Sequence, residues 1–202
     1  DHAENSIVVA SGANMLLNEQ DVDKVVEEMC EGDILLMQLE IPIQTVEYAA
    51  RRAFEKGVKV VLNPAPARSL PKELLRYLFM ITPNRIEAEM LTGIKIVNDA
   101  DAERVAKEIS AMGVQNIIVT LGSKGCLVRE GDTSYCVDAF KVEPVDTTAA
   151  GDTFNGALCV GLAEGMNLRQ AAVMASKASS VAVTRMGAQS SIPHRKELDL
   201  NE

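Results

Sequence analysis

The stretch DAERVAKEISAMGVQNIIVTLGSKG, residues 101–125, decides the fold. Asp101 to Met112 carries apolar residues at helical spacing and predicts an amphipathic helix. Asn116 to Leu121 follows as NIIVTL, a run of aliphatics too continuous for a strand with one wet face. Parallel strands with helices on both faces read this way, and the same unit recurs upstream. Glu19 to Met29 predicts a helix, Asp33 to Gln38 (DILLMQ) a buried strand, and Ile43 to Lys56 a helix entered near Pro42. Val58 to Leu62 (VKVVL) predicts the next strand, and Asn63-Pro64-Ala65-Pro66 continues neither element. A helix near Pro71 to Tyr77, a strand near Leu78 to Thr82 and a helix over Arg85 to Leu91 complete the alternation. Downstream the pattern changes. Gly125 to Val142 reads as antiparallel strands around a Gly131-Asp132 turn. Two long helices close the chain, Gly151 to Glu164 and Leu168 to Thr184, the second capped by Asn167 and Ala/Ser-rich enough to pack closely. With no internal repeat or linker, the reading is a single α/β domain.

Composition limits what that domain does. Of 202 residues, 47% are hydrophobic and only 3% aromatic, so the core is aliphatic. Twenty-nine acidic against twenty basic residues give a formal charge of -9, which excludes an electrostatic footprint for non-specific nucleic-acid binding. Cys30, Cys126, Cys136 and Cys159 have neither CxxC spacing nor the density of a disulfide scaffold. With no signal peptide and no membrane-length apolar run, the expected compartment is the cytoplasm. His2 and His194 lie at opposite ends and form no metal set. Asp1 leads straight into HAENSIVVASGANMLL, which reads like the middle of a strand and loop and points to a truncated or processed chain.

Ligands of such a sheet bind beyond the carboxyl ends of its strands. Glu40, Asn63, Asn84, Glu87 and the segment Thr120, Leu121, Gly122, Ser123, Lys124, Gly125 all fall at those ends. Asn84 and Glu87, three apart, suit either a helix cap with its capping-box acid or a pair holding water around Mg²⁺. TLGSKG suits either a sharp turn or a nucleotide contact. Glu40 is either a sugar-hydroxyl partner or simply exposed. The run PVDTTAAGDTFNG, Pro144 to Gly156, carries the clearest chemistry. A small-residue loop feeding a helix leaves the amides of Ala149, Ala150 and Gly151 at a helix N-terminus, where anions bind. Asp152 beside them is electrostatically awkward unless it removes a proton from a hydroxyl about to attack phosphorus. An ordinary loop-to-helix junction remains the alternative on local chemistry alone. GxxxxGK[ST] is absent, which excludes a P-loop NTPase.

Together these strings resemble the PfkB carbohydrate kinase family over nearly the whole chain. SGAN at Ser11 to Asn14, LLMQLE ending at Glu40, LNPAPAR at Leu62 to Arg68, TPNRIEAEMLTG at Thr82 to Gly93, TLGSKG, VDTTAAGDTFNGAL and AVTRMGAQSSIP at Ala182 to Pro193 carry the match. NPAPAR and the TRMGAQSSIP tail narrow it to the ribokinase branch. The resemblance implies a three-layer αβα fold with a mostly parallel central sheet, and transfer of the γ-phosphoryl of MgATP to the 5-hydroxyl of D-ribose. A kinase for another sugar or nucleoside, or a non-catalytic ATP-binding fragment, is the alternative. It implies Asp152 as base, Ala149, Ala150, Gly151 and Asp152 as the anion hole, and Asn84 and Glu87 around Mg²⁺ and phosphate. It further implies Glu40 as a sugar contact, and Thr120 to Gly125 with Ser176 along the ATP site. Asp146, Thr148, Ala182, Arg185, Gly187 and Ser191 match an activating monovalent-cation site, normally K⁺. The family's N-terminal strands, β lid and diglycine hinge have no counterpart before His2. Dimerisation through that lid is therefore expected only of a longer parent.

Overall fold

The computed structural model describes residues 10–198; His2 and the apolar run before Ala10 lie outside them. The described residues form two compact units, one of 10–120 and 127–135, the other of 121–126 and 136–198, where the sequence reads as one domain.

The first unit holds the sheet. In chain order it contains α1 (Glu19–Glu28), β1 (Ile34–Met37), α2 (Ile43–Glu55), β2 (Lys59–Leu62), α3 (Lys72–Leu75), β3 (Met80–Ile81), α4 (Arg85–Thr92), α5 (Asp99–Ala111) and β4 (Asn116–Thr120). The hairpin of β5 (Cys126–Glu130) and β6 (Thr133–Val137) follows, and the six strands stand in sequence order. β1 to β4 pair in parallel, Ile34 opposite Lys59, Val61 opposite Met80 and Met80 opposite Asn116. The predicted strand over Leu78 to Thr82 shrinks to Met80–Ile81, yet the ladder continues at both ends. Phe79 N–H donates to Val60 O at 2.8 Å and Thr82 N–H to Leu62 O at 3.0 Å. A two-residue turn at Gly131-Asp132 forces β5 and β6 antiparallel, with Gly131 at φ 56° as such a turn requires.

Burial follows from the aliphatic runs. Val60, Val61, Leu62, Met80, Ile81, Ile117, Ile118 and Val119 are fully buried, each contributing about 1.5–3 kcal/mol of transfer free energy. β1 departs from its prediction as a buried strand: among the described residues it ends the sheet, and Leu36 on it is exposed. Among the described residues, four α-helices start the same way. Asn18, Asn84, Asn98 and Asn167 each cap a helix, with Asp21, Glu87, Asp101 and Gln170 closing the box. Each box satisfies two otherwise orphaned backbone N–H groups.

The second unit is built on α6 (Ala150–Ala163) and α7 (Leu168–Ala182). Their close approach depends on small residues. A Cβ added to Gly161 would stand 3.2 Å from both Cα and Cβ of Ala171. Met174, Ala178 and Leu198 form a buried cluster, and Arg195 bonds Glu164 at 2.9 Å, which fastens the C-terminal turn Arg195–Glu197 to this pair.

Candidate active site

Within the sheet unit the strand ends converge as parallel pairing demands. Asn84 bridges to Thr120, whose N–H donates to Pro83 O at 2.9 Å, so the ends of β3 and β4 lie side by side. Asn63, at the end of β2, is buried and donates through Nδ2 to Thr82 O at 3.1 Å. Asn84 and Glu87 form the capping box in full. Glu87 N–H donates to Asn84 Oδ1 at 3.0 Å, Asn84 N–H to Glu87 Oε2 at 2.8 Å, and Asn84 Nδ2 to Glu87 Oε1 at 2.7 Å. The other three boxes are exposed to water, whereas Glu87 is only 4% exposed. Burial pushes its carboxyl above the ordinary carboxylate range, against the pull of the Asn84 N–H. A cap alone does not need a buried carboxylate, and burial of one is costly. Its remaining lone pairs can accept from water or a hydrated cation.

Glu40 is exposed beyond β1. Beside it runs a groove of about 390 Å³ lined largely by apolar side chains, among them Leu17, Val22, Val25, Leu35 and Met37.

In the second unit the loop before α6 is held at several points. Val145 and Asp146 N–H donate to Val183 O at 2.7 and 3.1 Å. The Asp146 carboxylate accepts from Thr148 N–H at 2.9 Å and Gly187 N–H at 3.0 Å, tying the loop to the segment after α7. Ala149 caps α6 in the left-handed region, φ 57°, with no side-chain cap. A non-glycine residue there is uncommon and costs of order 1–3 kcal/mol, offset by the bonds around it. Gly151 and Asp152 follow in the first turn, both exposed. Gly151 has no positive φ, and a Cβ added to it would meet nothing within 4 Å. Neither backbone nor packing in the described chain asks for glycine at this position, which leaves the helix end bare to approach from outside.

The remaining expected residues divide. Leu121 to Gly125 form a tight connection with Leu121 N–H on Gly125 O at 2.8 Å. Gly125 sits at φ 87°, and a Cβ added there would collide with Val137 O and lie 2.7 Å from Ala139 N, so this glycine is structural. Gly122, Ser123 and Lys124 are exposed on the turn. Ser176 is buried on α7 and donates to Asp138 O at 3.2 Å. Ala182 O accepts Arg185 N–H at 3.0 Å, Ser191 is fully buried and donates to Ala188 O at 2.7 Å, and the Arg185 guanidinium pairs with Glu197.

The profile of the pfkB family carbohydrate kinases matches residues 1–195. The chain belongs to the pfkB family. A ribokinase of Haemophilus influenzae is 46% identical over 195 residues, which cover 96% of this pfkB chain and 64% of that relative. The crystal structure of a Thermotoga maritima ribokinase superposes with a TM-score of 0.85 at 40% identity, covering 96% of this chain and 64% of that one. An Arabidopsis thaliana ribokinase complexed with ribose and ATP gives 0.87 at 30% identity, again over 96% and 64%. The pfkB chain thus spans 64% of the length of each. Its fold is the three-layer α/β arrangement of those structures.

Two residues escaped the sequence reading: Asn155, which donates to Gly151 O at 2.9 Å, and Ser179, which donates to Ala150 O at 3.0 Å. An asparagine three residues after Asp152, on the same helix, was the available signal for the first. Ser179 carried none, because its partner lies 29 residues away.

Proposed function

We propose that the whole protein carrying this chain transfers the γ-phosphoryl group of ATP to the 5-hydroxyl of D-ribose, giving ribose 5-phosphate and ADP. The observation that carries the reading is the bare start of α6, where Asp152 stands one residue after a glycine that nothing else in the described chain requires. Likeness to ribokinases of known sequence and structure supports the ribose acceptor. The amides of Ala149 to Asp152 receive charge developing on the phosphoryl oxygens, and Asp152 takes the proton from the attacking hydroxyl. The two act together in a direct in-line displacement with no covalent enzyme intermediate.

Asn84 and Glu87 fit water-mediated Mg²⁺, since hydrated Mg²⁺ needs few protein ligands and Glu87 is a buried carboxylate with lone pairs to spare. Mg²⁺ there would neutralise phosphate charge. Asp146, Thr148, Ala182, Arg185, Gly187 and Ser191 fit a K⁺ site made largely of backbone carbonyls on the two segments that Asp146 ties together. K⁺ there would hold the 146–152 loop in register without touching ATP. Thr120 to Gly125 and Ser176 line the nucleotide side, and Glu40 contacts the sugar.

The deciding experiment is ATP-dependent phosphorylation with Mg²⁺ and K⁺ across sugars and nucleosides, comparing this 202-residue chain with a version extended to its relatives' length. Activity on ribose in the extended protein supports the reading. Activity there only on another acceptor keeps the kinase chemistry and overturns the substrate, and no activity on any acceptor overturns both. Among the described residues no helix is long and apolar enough to cross a membrane. We further propose that the whole protein acts in the cytoplasm as a homodimer.

A further inference from the structure

Two side chains outside the reacting groups close on the backbone of the anion-binding turn. Asn155 Nδ2, one turn further along α6, donates to the Gly151 carbonyl at 2.9 Å. Ser179 Oγ, from α7, donates to the Ala150 carbonyl at 3.0 Å. Both carbonyls lie inside a helix, where the N–H groups four residues on are their ordinary donors. A second donor is therefore not required to satisfy them. Asn155 makes its bond while only 3% exposed, so the amide is held in one orientation.

A peptide group polarises as a unit. A donor on its oxygen draws electron density away from nitrogen and makes the N–H on the far side a stronger donor, by roughly 10–30% per bond. The N–H across the peptide from the Ala150 carbonyl is that of Gly151, and the N–H across from the Gly151 carbonyl is that of Asp152. These are two of the amides assigned above to the anion hole. We propose that Asn155 and Ser179 are positioning residues for phosphoryl transfer, acting through the Gly151 and Asp152 peptides to fix and polarise their N–H groups toward the migrating phosphoryl. The inference rests on the kinase reading. Because the benefit grows with charge on the phosphoryl oxygens, it is felt in turnover more than in ground-state nucleotide affinity. Ser179 also couples α7, the helix that leads into the Asp146-tied segment, to the first residue of α6.

The test uses Ser179→Ala, Ser179→Thr and Asn155→Ala in the protein extended to its relatives' length. Ser179→Ala and Asn155→Ala are each expected to lower kcat about 3- to 10-fold, the worth of one such bond, with KM for ATP and affinity for ADP unchanged. Affinity for ADP with aluminium fluoride falls by the same factor as kcat, and Ser179→Thr, which keeps the hydroxyl, restores both. Unchanged kcat in both alanine variants overturns the inference. So does a loss of ADP affinity and melting temperature in step with kcat, which marks a merely structural role. If the unsubstituted protein phosphorylates no acceptor, the kinase reading fails by itself, and the amide proton of Gly151 decides this point: an upfield shift in Ser179→Ala supports the polarisation, and an unmoved resonance overturns it.

Discussion

Asp152 stands exposed at the positive end of α6, where a carboxylate is favoured by the helix dipole but opposes an incoming phosphate. A residue used only to bind anions would do better neutral, and a carboxylate here fits the proposed role in proton removal. Asp152→Asn keeps the shape and the helix start while losing the base; turnover is expected to fall by about two orders of magnitude or more with ATP affinity retained. Near-normal turnover in a steady-state assay would remove Asp152 from that role. Of the four cysteines, Cys126 is buried and Cys159 half-buried, while Cys30 and Cys136 are exposed. Burial pushes the Cys126 thiol up to about 12 and the Cys159 thiol up to about 11. Both thiols stay protonated at any pH well below those values, and reactivity needs the thiolate. Iodoacetamide at pH 8 is therefore expected to alkylate exposed Cys30 and spare buried Cys126 in the folded protein, as read by peptide mass mapping. Equal labelling of the two would contradict the buried position of Cys126.

At the level of elements, helix starts and aliphatic strands were legible because both are written in local chemistry. Asn167, read as a cap, and Asn84, read as a cap or a metal-water residue, both cap helices, and Asn18 and Asn98 do the same with Asp three residues on. VKVVL and NIIVTL became β2 and β4 with a residue trimmed from an end. Burial of β4 is its main contribution to stability, so Ile118→Ala, at a fully buried position, is expected to cost about 2–5 kcal/mol. Urea melts of the two forms measure it, and a loss below about 1 kcal/mol would mean the strand relaxes into the gap. The same local code left Asn84 and Glu87 ambiguous. A capping box and a metal-water pair use one spacing; the structure forms the box in full, and of the four residues that close such boxes on α-helices only Glu87 is buried. The sharp ends of β3 were also illegible, because what extends that strand is pairing with β2 and β4.

For the molecule as a whole, Asp146 is the joint on which the proposed cation site depends, since its carboxylate holds the N–H of Gly187, 41 residues on, as well as that of Thr148 in its own loop. Replacing K⁺ by tetramethylammonium in the assay is expected to lower turnover, and indifference to the cation would sink that site. The sheet unit carries exposed Leu16, Val25 and Leu36 beside an apolar groove and an edge strand. The 202-residue chain on its own is accordingly expected to self-associate, with a sedimentation coefficient that rises with concentration. What the sequence by itself determined is the α/β alternation, the helix caps, the start of α6 with Asp152 in its first turn, and membership of a kinase family, because periodicity, capping and the DTTAAGDTFNG run are properties of neighbouring residues. Only the tertiary structure decided that β1 is the outermost strand among the described residues, that Glu87 is buried while Glu40 is exposed, and that Ser179 reaches the Ala150 carbonyl. Burial and hydrogen bonds between distant segments depend on which surfaces meet after folding, and no local pattern encodes that.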